Sequence, residues 1–435
     1  MSLVTFSGRA AVSGRHESVC PRRANSPLHQ LLIATAVFVM AASVAGCGSA
    51  TVILWTNESE AAPIVELFNS QQRQYVVELR YEPDVSRALR LSEESADVVI
   101  SESIEDMATA RLFQPLDRLM NSTIDPDEFY APLLSNGARS GKQRLLPLSF
   151  NLPLIYFSQA DVGSQEGISL GIGEMRAAGI EFNELEESRA ERIAFSPLWD
   201  GSFLYEMIRA GGLSVEEGES GEPVWSLDHL LGGVNEAIAW VVEDNGGEAI
   251  DAAFQEQYLY DPVIRLVQKR RILFGYDTSD SYFDRSDEAR SELKFRWFGS
   301  EGNIQVLESI VYAGIPERAA NREGAQALLA WLFDADLQTE LLENNRRKRI
   351  DTFGIVGGFS SLWRVTERAI PEQYPDLRSI VPPAGRLSFP GPSPRHWKAV
   401  TATVVKPWLL REAAGQPQSR DLITSVSAWL LQQEE

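Results

Sequence analysis

The chain has 435 residues, of which 44% are apolar and 23% charged, and its 61 acidic and 40 basic side chains give a net charge of −21. An acidic surface repels phosphate backbones, so we expect no nucleic-acid partner. A chain of this length exceeds the size at which a single core stops growing, so we expect two domains.

The N-terminal segment has the pattern of a cleaved export signal. An uncharged apolar run at residues 31–46 is shorter than the roughly 20 residues of a membrane-spanning helix, and it follows Arg9, Arg15, Arg22 and Arg23. The run ends in Val44-Ala-Gly-Cys47, which resembles the lipobox of bacterial lipoproteins. The resemblance implies a signal peptide over residues 1–46 and lipidation of Cys47, which would anchor the chain to a membrane surface. The alternative is an ordinary signal cut nearby, with Cys47 an incidental thiol. Cys20 lies in the removed part, so the exported chain has no thiol pair for a disulfide or zinc.

The segment after the signal predicts an α/β unit. Residues 51–56 form a short apolar run rich in strand-forming residues, and apolar residues then recur at helical spacing over residues 62–70. Residues 75–81 alternate as a second strand, and residues 96–100 form a third. The predicted order is strand, helix, strand, helix, strand, which builds a parallel sheet covered by helices.

The middle of the chain contains a predicted crossover between domains. In residues 141–156, Pro147 and Pro153 bracket Ser149 and Asn151 inside an otherwise extended apolar run. Proline breaks a strand ladder, so we expect this segment to end one strand and to pass between two lobes. Beyond it the chain is mainly helical, with extended stretches at 293–298 and 306–314, one helix over 321–344 and a last helix over 420–432.

The order of these segments resembles the family 1 extracellular solute-binding proteins of ATP-driven (ABC) importers, a group that includes maltose-binding proteins. The resemblance lies in several loose motifs in the family's order: the strand at 52–55 with its helix ending in Phe68-Asn69, Ala96-Asp-Val-Val99, Phe113-Gln-Pro-Leu-Asp117, the 141–156 segment, and Ala313-Gly-Ile-Pro316. Departures from the pattern are Arg144 and Leu145 in place of an aromatic residue and a glycine, and Ser158 in place of an asparagine.

The resemblance implies an α/β, two-lobed periplasmic-binding-protein (type II) fold with hinge strands and discontinuous lobes. Lobe 1 would comprise residues 51–152 and 303–347, and lobe 2 residues 153–302 and 348–435. It further implies a monomer outside the cytoplasmic membrane or in the periplasm, which captures a small solute by hinge closure and delivers it to the permease subunits of an ABC importer. Carbohydrate is the expected solute.

Candidate ligand-binding residues follow from two rules. Open α/β sheets bind ligands at the carboxyl ends of their strands, which selects Trp55, Glu58, Glu102, Ser149 and Asn151. Sugar recognition needs aromatic faces beside acids or amides, which adds Trp199, Asp200, Trp297 and Phe359. Each tryptophan has a second interpretation as a core residue, and Glu58 and Glu102 have one as helix caps.

The sequence gives no pattern for catalysis, for a cofactor or for a metal. No nucleophile triad can be recognised, Gly171-Ile-Gly173 lacks the rest of a dinucleotide-binding loop, and the spacing of Asp277, Asp280, Asp284 and Asp287 does not match a calcium loop. We therefore expect a binding protein that is not an enzyme. A sensory lipoprotein that signals to a membrane receptor and a polysaccharide-degrading lipoprotein are the alternatives. The basic run Arg346–Arg349 is either a solvated helix end or a permease-docking surface.

Overall fold

The computed structural model describes residues 49–102, 104–164, 167–218, 221–299, 302–416, 418 and 420–433. The predicted signal peptide and the predicted lipidation site Cys47 lie outside these residues. Within the described part, no helix has the length and apolarity to cross a membrane.

Strands within the described residues fall into two main sheets and several two-stranded ladders. In chain order they are β1 (Ala50–Thr56), β2 (Tyr75–Tyr81), β3 (Val98–Ser101), β4 (Ala138–Arg139), β5 (Lys142–Gln143), β6 (Leu146–Phe150), β7 (Pro153–Ser158), β8 (Ser169–Leu170), β9 (Glu184–Leu185), β10 (Ala190–Arg192), β11 (Val215–Glu217), β12 (Pro223–Trp225), β13 (Phe274–Thr278), β14 (Leu293–Phe298), β15 (Ile304–Gln305), β16 (Val311–Gly314), β17 (Phe359–Ser360) and β18 (Leu387–Ser388).

The first main sheet has six strands in the order β17-β6-β16-β3-β1-β2. β1 pairs in parallel with β2 and β3, as predicted, while β16 runs antiparallel to both β3 and β6. β3 is an inner strand between β16 and β1, and it is buried along its whole length. β17 is antiparallel to β6. Residues 348–435 were predicted to belong to lobe 2, but this strand from among them extends the first sheet.

The second main sheet has four strands in the order β13-β7-β14-β8. β7 is antiparallel to both β13 and β14, and β14 is parallel to β8. The chain passes from the first sheet to the second at Asn151 and Leu152, and Pro153 is the first residue of β7, where its missing N–H breaks no ladder. The chain returns to the first sheet between β14 and β16.

Helices pack on both sheets. In chain order the α-helices among the described residues are α1 (Ala62–Gln71), α2 (Val85–Leu91), α3 (Met107–Ala110), α4 (Asp117–Ser122), α5 (Ala131–Ser135), α6 (Ile172–Phe182), α7 (Gly201–Ala210), α8 (Leu227–Asp244), α9 (Glu248–Gln257), α10 (Val263–Gln268), α11 (Ser279–Phe283), α12 (Asp287–Arg290), α13 (Arg322–Leu332), α14 (Ala335–Lys348), α15 (Ile370–Gln373), α16 (Trp397–Val400), α17 (Lys406–Ala413) and α18 (Leu422–Gln433). Two π-helical turns, Val365–Ala369 and Thr401–Val405, lead directly into α15 and α17.

The predicted single helix at 321–344 is two helices, α13 and α14. The carboxylate of Asp334 accepts hydrogen bonds from the backbone N–H groups of Asp336 and Leu337, at 2.9 and 3.1 Å. Such a cap satisfies N–H groups at the start of a new helix. The apolar period runs through the break, which is why periodicity alone predicted one helix.

Two buried apolar clusters form the core of the part of the chain that the structure describes. The larger contains the first sheet, its helices and one face of the second sheet. The smaller lies on the other face of the second sheet and contains residues of α7, α8, α17 and α18. The C-terminal helices therefore pack with the second sheet.

Candidate ligand-binding cleft

The carboxyl edge of the first sheet brings together acids that are far apart in sequence. β1, β2 and β3 run in parallel, so the residues after them reach the same edge of the sheet. Asp84 follows β2, and Glu102, Glu105 and Asp106 follow β3. Glu308 joins them from the segment before β16, because β16 runs the opposite way and starts at this edge.

A cavity of about 610 Å³ lies against this edge, and we refer to it as the cleft cavity. Its other walls come from α7, from the end of β13 and from the C-terminal region. Its lining residues are Pro83, Asp84, Glu102, Glu105, Asp106, Ser202, Tyr205, Glu206, Tyr276, Thr278, residues 307–309 and 393–399, Thr401, Ala402, Lys406, Trp429 and Gln433. The volume falls in the range of small-molecule sites.

Glu308 is a shared hydrogen-bond acceptor at the junction of three walls. The hydroxyl of Tyr205 donates to its carboxylate at 2.9 Å and the indole N–H of Trp397 at 3.0 Å. Tyr205 lies on α7 and Trp397 begins α16, and both are buried. One carboxylate thus connects the first sheet's edge to α7 and to the C-terminal segment.

A buried ion pair supports this junction. Arg209 donates to Glu206 at 2.6 Å, and its Nε lies 3.6 Å from Glu308. Burial opposes the charge on Arg209, but the two neighbouring carboxylates outweigh it and raise its pKa. Lys406 donates to Ser202 at 3.2 Å and lies over the ring of Tyr205.

Burial raises the pKa of two carboxyl groups at the sheet edge, Glu58 and Glu105. Burial raises the pKa of Glu105 to about 8, with smaller contributions from the charges of Asp106 and Glu102. Burial also raises the pKa of Glu58 to about 7, and the nearby charge of Glu102 adds to the shift. Glu102 itself forms an ion pair with Lys398 of the C-terminal segment.

Four buried polar atoms on cavity-lining residues have no hydrogen-bond partner within the described structure. They are Glu105 Oε2, Arg395 Nε, His396 Nε2 and Thr401 Oγ1. Buried polar groups in proteins nearly always have a partner, so these four atoms are available to water or to a ligand that enters the cavity. Thr401 also starts a π-helical turn, a feature found often at functional sites.

Of the predicted site residues, Glu102 lines the cleft cavity and Glu58 lies beside it. Asp200 is the N-cap of α7 and accepts from the N–H of Ser202, a cavity residue, at 2.7 Å. Its own side chain lies outside the cavity lining.

Ser149 and Asn151 take part in the crossover between the sheets. The amide of Asn151 donates to Gly357 O at 2.8 Å and accepts from the hydroxyl of Ser279 at 2.5 Å, while Ser149 donates to Val356 O at 3.4 Å. Neither residue is part of the cavity lining.

None of the predicted aromatic platforms is part of the cavity lining. Trp55, Trp297 and Phe359 are buried in the larger apolar cluster. Trp297 has 0% exposure and donates its indole N–H to Ile380 O at 2.5 Å. Trp199 stacks on Phe254 and donates to Asp251 at 3.0 Å, away from the cavity.

The aromatic residues that do line the cavity were missed. They are Tyr205, Tyr276, Trp397 and Trp429, and the last two lie in the C-terminal region. A usable signal was present, because the Pro-rich stretch at 381–394 leads directly into Arg395, His396 and Trp397. The rule that ligands bind at the carboxyl ends of strands could not select residues 395–397, because they do not follow a strand of the first sheet.

Across the described residues, no group of three or more His, Cys, Asp or Glu side chains is arranged to hold a metal ion. Of the aspartates compared with a calcium loop, Asp277 forms an ion pair with Arg285, and Asp284 accepts from the N–H of Phe353.

The fold resembles that of several solved binding proteins. No protein-family model matches the chain, and no curated protein sequence does. The ABC substrate-binding protein Lmo0181 from Listeria monocytogenes, in complex with cycloalternan, matches with a TM-score of 0.61 at 10% identity, over 89% of this chain and 99% of that one. The cyclic alpha-maltosyl-1,6-maltose binding protein from Arthrobacter globiformis matches with a TM-score of 0.58 at 15% identity, over 87% and 97%. A family 1 extracellular solute-binding protein from Alicyclobacillus acidocaldarius matches with a TM-score of 0.58 at 9% identity, over 89% and 98%.

These matches define the class of fold. The chain has the two-lobed, type II α/β fold of extracellular solute-binding proteins, as the order of its sequence motifs predicted. The three structures are described as binding proteins; one of them is an ABC substrate-binding protein in complex with cycloalternan, and another is named for binding cyclic alpha-maltosyl-1,6-maltose.

Proposed function

We propose that this protein is an extracytoplasmic solute-binding protein that captures a carbohydrate in the cleft cavity and performs no catalysis. The observation that carries the proposal is the set of four unpaired polar atoms around the cavity. The set includes a carboxyl oxygen of Glu105, which can accept a hydrogen bond, a pure donor in Arg395 and a hydroxyl in Thr401. Sugar hydroxyl groups both donate and accept, so one sugar can satisfy both kinds of atom.

Aromatic side chains in the same cavity support a sugar over other polar solutes. Trp429 and Tyr276 line it and are partly exposed. The C–H face of a sugar ring packs on such aromatic surfaces while its hydroxyl groups find polar partners. The matching proteins named for carbohydrates are consistent with this assignment.

Capture proceeds by closure of two lobes, with the boundaries predicted from the sequence except that Phe359–Ser360, which pair with β6, move with the first sheet. Contacts between the first sheet and the second part of the molecule already flank the cavity: Lys398 pairs with Glu102, and Glu217 accepts from the N–H of Met107 at 2.7 Å. A ligand that contacts both sides favours the closed state by its differential affinity. The closed complex then delivers its sugar to the permease of an ABC importer, and acylated Cys47 keeps it at the membrane surface.

A thermal-shift screen of the purified protein tests the binding proposal. A ligand that binds only the native state, present at about 100 times its dissociation constant, adds roughly 2.7 kcal/mol of stability. We expect a shift with one class among mono- and oligosaccharides, polyols and amino acids. The shift should be lost in Trp429→Ala and kept in Trp363→Ala, a partly exposed tryptophan outside the cavity.

The outcomes separate the proposed roles. Absence of a shift with every sugar, together with a shift for an amino acid, would contradict carbohydrate capture. Turnover of an oligosaccharide would contradict a purely binding role. If deletion of the gene leaves uptake of the bound sugar intact but abolishes a response to it, the protein is a sensor and not an importer component.

A further inference from the structure

The cleft cavity contains one carboxyl group that differs from its neighbours. Glu105 is 5% exposed and lines the cavity; its carboxyl group has a hydrogen bond with Ser393, but Oε2 has no partner among the described residues. The nearby guanidinium of Arg139 donates to the main-chain oxygen of Glu105 and not to its carboxyl group. A buried carboxyl oxygen without a partner costs free energy unless a ligand supplies a donor.

The other acids of the cavity edge have partners. Asp106 accepts from the N–H of Thr109 at 3.0 Å, Asp84 accepts from the N–H of Arg87 at 2.8 Å, and Glu102 pairs with Lys398.

The cations of this region have acids close to them. Arg90 and Arg395 are close enough to repel each other, and Asp84 and Asp106 offset that repulsion. Two cations and two acids therefore balance on that side of the cavity. The carboxyl group of Glu105 forms no ion pair within the described residues, since the guanidinium of Arg139 bonds its main-chain oxygen instead.

We propose that the solute bound in the cleft cavity carries a protonated amino group that binds Glu105 Oε2, which makes an amino sugar the substrate class. This inference rests on the proposed function. An ammonium group supplies both the missing donor and the missing positive charge, and hydrogen bonds between charged partners are stronger than neutral ones. A neutral hydroxyl supplies only the donor.

Binding of the ammonium group has a proton balance that can be measured. Burial raises the pKa of Glu105 to about 8, so near neutral pH its carboxyl group is mostly protonated in the empty cavity. When the ammonium group binds, the carboxyl O–H bond breaks, the proton goes to the buffer, and the carboxylate pairs with the ammonium group. A neutral sugar leaves the proton on Glu105.

Isothermal titration calorimetry at pH 6 with three β-1,4-linked disaccharides tests the inference, because the amino groups of the free glucosamine dimer and the carboxyl group of Glu105 are then both mostly protonated. The dimers of D-glucosamine, N-acetyl-D-glucosamine and D-glucose differ only in the group at C2. We expect the glucosamine dimer to bind about tenfold more tightly than the other two, the difference between a charged and a neutral hydrogen bond. Repeating the titration in two buffers of different ionisation enthalpy should show proton release for this dimer alone.

Glu105→Gln keeps the shape of the side chain and removes its charge. We expect this variant to bind the three dimers with similar affinity and without proton release. The control Glu236→Gln makes the same chemical change on an exposed position of α8, outside the cavity, and should behave as the wild type. A thermal melt of each variant shows whether it is folded.

The results that overturn the inference are distinct from those that overturn the proposed function. If the glucose or N-acetylglucosamine dimer binds as tightly as the glucosamine dimer, the amino group is not recognised, and carbohydrate capture still stands. If none of the three binds but another neutral sugar does, the inference also fails. If no sugar of any class binds, the proposed function itself fails.

Discussion

Replacing Glu308 with alanine removes the acceptor shared by Tyr205 and Trp397. Both donors are buried, at 2.9 and 3.0 Å from the carboxylate, and no other acceptor for them is found within the described residues. A buried donor left without a partner costs about 1–3 kcal/mol, so two of them give roughly 2–6 kcal/mol. Glu308 lines the cleft cavity, and water entering there would satisfy part of the loss. We therefore expect the free energy of unfolding to fall by about 2–4 kcal/mol.

The charge of Arg209, which lies beside Glu308, does not add to this loss of stability. Arg209 keeps its 2.6 Å contact with Glu206 when Glu308 is removed, so no buried cation is left unpaired. Glu308→Gln retains one acceptor oxygen and should lose less stability than Glu308→Ala. Glu317→Ala is the matched control, since Glu317 is half-exposed and lies 3.6 Å from Arg144. A surface pair of this kind contributes about 0–1 kcal/mol.

Urea unfolding followed by circular dichroism measures these changes, and a double-mutant cycle with Tyr205→Phe isolates one contact. In the Tyr205→Phe background, Glu308→Ala leaves only one donor unpaired, so its effect should shrink by about 1–2 kcal/mol. A loss no larger than that of the Glu317→Ala control, or strictly additive effects of the two substitutions, would refute the assignment of Glu308 as the shared acceptor.

Three further predictions concern the acid edge, the core and the anchor. Because burial raises the pKa of Glu105 from 4.5 to about 8, the folded protein binds this proton more tightly than the unfolded chain, and stability falls as pH rises between these values. The free energy of unfolding of Glu105→Gln, measured by chemical denaturation, should therefore rise relative to that of the wild type as the pH is raised from 5 to 9. If the two free energies change in parallel with pH, the raised pKa of Glu105 is contradicted. Asp251→Ala removes the acceptor of Ser196, Trp199 and Asn245, so it should cost about 2–4 kcal/mol of stability without changing ligand affinity in calorimetry, and weaker binding would place Trp199 in the site. Cys47→Ser should abolish incorporation of labelled palmitate by cells that express the protein, and in detergent phase separation the variant should move from the detergent phase to the aqueous phase. Retained labelling would rule out Cys47 as the acylated residue.

Much of the fold could be predicted because its signals are local. β2 has the predicted bounds, and β1 and α1 differ from the predicted ones by one residue. Pro153 begins β7 at the predicted crossover, since proline is tolerated at the first position of a strand. The break at Asp334 was missed because apolar periodicity reports a buried face and not a cap.

The candidate site was harder to predict, because a buried aromatic residue looks alike in sequence whether a ligand or another element covers it. Trp297 and Trp397 are both buried tryptophans in apolar surroundings. Trp297 packs against the rings of Phe295 and Phe359, whereas Trp397 lines the cavity and donates a hydrogen bond to Glu308. Only the long-range packing of the C-terminal segment against α7 distinguishes them, and no local pattern reports it.

The two sides of the cavity divide the recognition of a ligand between different parts of the chain. The sheet edge supplies the acceptor Glu105, and the C-terminal segment supplies Arg395 and Thr401. The segment belongs to the smaller apolar cluster, and the contacts of Trp397 with Glu308 and of Lys398 with Glu102 connect it to the sheet edge. The position of the donors relative to Glu105 therefore depends on these two contacts. Substitutions that lengthen or reorient residues 393–402 should change which solute is bound while leaving both sheets intact, because none of these residues is part of either sheet.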